Sequence, residues 1–149
     1  MKKLIVSFVA LFLMIAPSLA QANSTMDSTV GVQGYDLVSY HSGKPLPGNG
    51  NHVVTYKGTN YLFSSAANKA SFEKSPAKYL PAYGGWCAFG VGVGKKFIAD
   101  PNVWEIVDGK LYLNLDNKVK NLWSKDIPGN ISKADKQWMD IQNKKPSEL

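Results

Sequence analysis

Cys87 is the one cysteine in a chain of 149 residues, and it stands inside the glycine-rich, aromatic run Tyr83-Gly-Gly-Trp-Cys-Ala-Phe-Gly90. A lone thiol has three uses. It can pack as a small hydrophobe, because free cysteine is among the most buried residue types. It can ligate a soft metal such as copper(I) or zinc, with His41, His52 or Asp100 as partners of suitable chemistry. It can also serve as a reactive or redox thiol, which needs its thiolate stabilised by a neighbour such as Lys95 or by a helix N-terminus. Spacing leaves all three open, since no CxxC or HxxH pair marks a closed metal site and no intramolecular disulfide can form.

Other chemistries are poorly provided for. No serine sits in a nucleophile elbow, and both histidines precede Cys87 at a distance. The acids sit mostly in turns or on helix faces, and Asp108 and Asp116 read as structural. The alternating glycines between 84 and 94 lack the lysine-serine pair of a phosphate loop and the downstream acid of a dinucleotide site. Aromatic residues such as Tyr61, Phe63, Phe72 and Trp104 stand at strand and helix spacing and read as core before pocket. The sequence thus favours a protein that binds over one that catalyses.

The elements that must position these residues follow from periodicity. His52–Lys57 and Asn60–Ser64 carry β-branched and aromatic residues around Gly58-Thr59 and read as one hairpin. Val103–Val107 and Lys110–Asn114 flank Asp108-Gly109, a dipeptide suited to a type I′ turn, and read as a second. A short helix follows the first hairpin, capped by Ser64 or Ser65 and ending near Ser75-Pro76. Residues 116–123 and 132–141 have helical apolar spacing, with Pro128-Gly129 between them. Before the hairpins, Val32 to Tyr40 reads as an extended or turn-like entry, and residues 43–51 as a Gly/Pro loop. The sequence reads as having no internal repeat and no low-complexity segment. The expected architecture is a single α+β domain, a small antiparallel sheet from two hairpins with helices packed on one side.

The N-terminus has the order of an export signal: Lys2-Lys3, an apolar run from Leu4 to Ile15, then Pro17-Ser18-Leu19-Ala20. The run is shorter than the roughly 20 apolar residues of a membrane span, so no retained membrane segment is expected. Residues 1–20 read as the signal, 21–30 as a polar leader and 31–145 as the domain, placing the protein in the periplasm or outside the cell. All seventeen basic residues are lysines. Without the arginine fork that reads phosphates and bases, nucleic acid is a poor partner. Removing Lys2 and Lys3 leaves fifteen lysines against eleven acids, a mild and scattered surplus.

Several motifs arrive in order: Gly34-Tyr-Asp-Leu-Val-Ser-Tyr40, Tyr56-Lys-Gly-Thr-Asn-Tyr-Leu-Phe-Ser64, then Asn68, Phe72, Pro76 and Tyr79. They continue with Pro81-Ala-Tyr-Gly-Gly-Trp-Cys-Ala88, Asp100-Pro-Asn-Val-Trp104 and Asp108-Gly-Lys-Leu-Tyr-Leu-Asn114. Together, from about Val32 to Ile141, they resemble the exported proteins that carry a YHS domain. YHS domains also occur beside metal-transporting ATPases, so the resemblance implies a role with heavy metals, although this chain lacks the cysteines such domains carry near their start. Cys87 matches the Gly-Gly-Tyr-Cys-Ala pattern of the exported branch, with Trp86 for the tyrosine, and is the residue the resemblance marks. The resulting reading is a non-enzymatic binding module, for a metal ion such as copper or zinc. Its alternatives are a thiol-dependent redox protein using Cys87 and an envelope protein-interaction domain in which Cys87 is inert.

Overall fold

The structure is a computed structural model that describes residues 29–149. The expected export signal, residues 1–20, and all of the expected leader but its last two residues lie outside the described residues. Thr29–Val30, the end of that leader, form strand β1 and run parallel to a later strand. Among the described residues no helix is long and apolar enough to cross a membrane.

After a left-handed turn at Gly31–Gly34 comes the short helix α1, Leu37–Tyr40. Asp36 makes it a helix where the sequence suggested extended chain: its carboxylate accepts the N–H groups of Val38 and Ser39, which would otherwise be orphaned. Strands β2 (Asn49–Tyr56) and β3 (Thr59–Phe63) form the first hairpin, with Val54 opposite Tyr61 and Tyr56 opposite Thr59. Its turn is Lys57-Gly58, one residue earlier than composition suggested, and both residues take positive φ as a type I′ turn requires. Asn49 already pairs with Phe63, so β2 begins inside the expected Gly/Pro loop and meets β3 through a bulge. Helix α2 (Ala66–Lys74), capped by Ser65, and the single turn α3 (Pro76–Tyr79) follow.

The second half opens with another left-handed turn, Ala82–Gly85, and helix α4, Ala88–Gly92. Strands β4 (Asp100–Val107) and β5 (Lys110–Asn114) form the second hairpin around Asp108-Gly109. Helix α5 (Asn117–Trp123) starts at an Asp116 cap. The last helix, α6, spans Ile127–Ile141. Pro128-Gly129 therefore does not separate two helices. Asp126 caps Gly129, and proline in a first turn has no N–H to lose. The α+β class and both hairpins stand, but the hairpins lie in two sheets, β1-β3-β2 and β4-β5.

The halves repeat each other without a gap, which corrects the reading that no repeat is present. The offset is a constant 51 residues, the distance from Asp36 to Cys87 and from Thr59 to Lys110. The left-handed turns, α1 and α4, β2 and β4, β3 and β5, and the starts of α2 and α5 all superpose in number. Finer features follow the same offset. The isolated bridge Tyr35–Pro47 corresponds to Trp86–Ile98, and both hairpins carry their bulge at the same place. The Tyr61–Phe72 ring pair corresponds to Tyr112–Trp123, at centroid separations of 5.2 and 5.6 Å. Lys57 and Asp108 share a left-handed φ, near 50°.

The two units still make one domain. Leu37, Phe63 and Phe72 of the first share a buried cluster with Cys87, Leu111 and Leu113 of the second. The Tyr40 hydroxyl crosses between them to donate to the Pro101 carbonyl at 2.7 Å, and Gln33 Nε2 donates to the Ala99 carbonyl at 2.7 Å. A second cluster gathers Tyr83, Val91 and Trp123 under Ala134 and Ile141 of α6. Lys96 closes the end of α6 by donating to the carbonyls of Gln142 and Lys144.

Candidate functional site

Cys87 is the N-cap of α4 and is 0 % exposed. Its Sγ accepts the Gly90 N–H at 3.4 Å and its S–H donates to Asn114 Oδ1 at 3.8 Å. Asn114, itself 0 % exposed, also accepts the Phe89 N–H at 3.3 Å. The Cys87 backbone N–H is spent on the Phe97 carbonyl. Both hydrogen-bonding capacities of the thiol are thus used inside the fold, in a capping position that the Gly90 backbone reaches only because residue 90 has no side chain. A Cβ there would stand 2.7 Å from the Phe97 ring.

The other residues that sequence reasoning singled out are elsewhere. His41 ends α1 and meets Tyr79 edge to face at 5.1 Å, with its Nε2 buried and without a hydrogen-bond partner. Burial, and then the Lys78 ammonium, lower its pKa. His52 lies half-buried on β2. Asp100 opens β4 at the surface, where its Oδ1 accepts the N–H and amide of Asn102. Among the described residues no three His, Cys, Asp or Glu side chains gather where they could hold a metal ion. Lys95, the proposed neighbour of the thiol, is exposed.

Two features escaped the sequence reading. One is Asp36, fully buried and holding the first unit together: Oδ1 takes the Val38 and Ser39 N–H groups at 2.9 and 3.3 Å, while Oδ2 takes the Ser64 N–H and hydroxyl and the Asn68 amide at 2.6 to 2.9 Å. A charged acceptor with this many donors is strongly held. The Asp-x-x-Ser spacing over 36–39 was the available signal. The other is an open cleft between the units, about 470 Å³, lined by Gln33 and Tyr35 on one side and Ile98, Asp100, Asn102 and Leu115 on the other. The Tyr35 hydroxyl donates to Asn102 Oδ1 across it at 3.3 Å. Ile98, 70 % exposed, supplies its most accessible apolar surface.

Fold and site define a small α+β domain built of two like units, with an enclosed thiol and an exposed polar cleft. Residues 38–83 match the family model of the YHS domain. The match covers most of the first unit and ends at Tyr83, in the turn that opens the second. No curated protein and no solved structure matches the chain.

Proposed function

We propose that the protein is an exported, non-enzymatic binding module. The observation that carries this reading is the enclosure of Cys87, whose sulfur is fully buried with both its donor and acceptor roles committed to Asn114 and Gly90. Nucleophilic or redox work needs an accessible thiolate. The cleft between the units leaves groups open to solution, with Asp100, Asn102 and Tyr35 offering oxygen atoms beside Ile98 and Leu115. Recognition at such a mixed polar and apolar cleft requires no covalent step. The lysine-type extension at the N-terminus, Lys2-Lys3 ahead of an apolar run, supports export.

Two measurements test it. Native protein treated with a chromogenic disulfide should react only after denaturation, and rapid stoichiometric labelling without denaturant would replace this reading with the thiol enzyme. Protein purified without an affinity tag or chelator should carry the same copper and zinc content as its Cys87→Ser variant. A stoichiometric metal lost in that variant would make Cys87 a ligand and the protein a soft-metal carrier.

A further inference from the structure

We infer that residues 82–131 are a second YHS unit, diverged beyond recognition by sequence, and that Cys87 is the counterpart of the buried cap Asp36. The family match stops at residue 83, so nothing in that match assigns the second half. The assignment rests on structure at atomic detail. Asp36 N–H donates to the Leu46 carbonyl at 2.9 Å, and Cys87 N–H donates to the Phe97 carbonyl, the residue 51 positions beyond Leu46, at 3.0 Å. Ser39 N–H caps onto Asp36 Oδ1 at 3.3 Å, and Gly90 N–H caps onto Cys87 Sγ at 3.4 Å. The next helices also start alike: Asn68 N–H bonds the Ser65 hydroxyl and Val119 N–H bonds the Asp116 carboxylate. A Cβ on Gly34 would meet Leu62, and one on Gly85 would meet Leu113, again the same pair of positions.

The differences between the units form a coordinated set. In the first, the carboxylate of Asp36 is matched by donors on Ser64 and Asn68. Their counterparts in the second are Leu115 and Val119, which donate nothing from their side chains. A carboxylate at 87 would have lost those partners, and an unpaired buried charge is heavily disfavoured. A thiol asks for one donor and one acceptor, which Gly90 and Asn114 supply. Cys87 is thus the cap that a unit without Ser and Asn at those positions can tolerate.

The test is a graft followed by thermal unfolding. Cys87→Asp alone should lower the melting temperature by roughly 10 °C, since it buries a charge without counterparts of the Ser64 and Asn68 donors that hold Asp36. Cys87→Asp with Leu115→Ser and Val119→Asn, which restores the first unit's donor set, should regain at least half of that loss. The reciprocal graft, Asp36→Cys with Ser64→Leu and Asn68→Val, should likewise melt above Asp36→Cys. A triple variant that folds where its single parent does not counts as the same rescue. If neither triple variant gains over its parent, the correspondence of the two caps is accidental and the inference falls.

Discussion

The Cys87 thiol is aimed at Asn114, its S–H donating to Oδ1 at 3.8 Å while the same sulfur accepts the Gly90 N–H. A capping acceptor and a buried side chain are therefore lost together in Cys87→Ala. The expected cost is about 1–3 kcal/mol, combining a lost N-cap with a small cavity. Cys87→Ser keeps an acceptor for Gly90 and should cost less. Urea unfolding checks this ordering through the midpoint with an unchanged slope; equal stability of wild type and Cys87→Ala would deny the thiol its capping role.

Asp36 should be far less tolerant. Its carboxylate accepts from Val38, Ser39, Ser64 and Asn68, and it is completely enclosed. Asp36→Ala leaves several of those donors without a partner, at about 1–3 kcal/mol for a buried orphan, so a loss above roughly 3 kcal/mol is expected. Asp36→Asn keeps an acceptor but sets its amide N–H₂ against the donors on one side, and should fall between. Circular dichroism during denaturant titration would expose a failure of this order.

The hairpins, the Asp108-Gly109 turn and a serine cap at position 64 or 65 were legible because each depends on a few adjacent residues. The repeat was not, because so little of it survives in residue type. Gly43-Lys44 against Gly94-Lys95 and Tyr61-Leu62 against Tyr112-Leu113 are aligned identities, but Asp36 against Cys87 and Phe63 against Asn114 hide the equivalence. What persists is backbone conformation, such as the left-handed pairs Val32-Gln33 and Tyr83-Gly84. Those two pairs share no residue type. The site was half legible. Composition pointed to Cys87, whereas its enclosure depends on Phe97 and Asn114, which are near it only in the fold.

His41 should give stability a pH dependence near neutrality. Its folded pKa is lowered from 6.5, first by burial and then by Lys78, and its Nε2 lacks a partner beside the Tyr79 ring. The unfolded chain then binds the proton more readily, so stability rises with pH in this window. The contribution is complete above about pH 6.5, the unfolded value, and is lost as pH falls toward the lower folded pKa. Thermal melts between pH 7.5 and 5 should show this decline. In His41→Phe, which keeps the edge-to-face contact, the decline should be smaller; an identical profile would assign it to other groups.

The second unit departs from the first at a buried ring pair. Phe63 packs on Phe72 at 5.0 Å between centroids, and their counterparts are Asn114 and Trp123. Both counterparts are 0 % exposed, and Asn114 Nδ2 and Trp123 Nε1 have no hydrogen-bond partner among the described residues. Trp123→Phe removes one orphaned donor but opens a cavity. Asn114→Phe removes the other but crowds the indole and strips Phe89 N–H of its acceptor. Together the two substitutions rebuild the ring pair of the first unit, so the crowding of one fills the cavity of the other. The double variant should therefore be more stable than the sum of the singles by at least about 1 kcal/mol. A double-mutant cycle in urea measures that coupling directly, and strict additivity would mean that Asn114 and Trp123 do not face each other as Phe63 and Phe72 do.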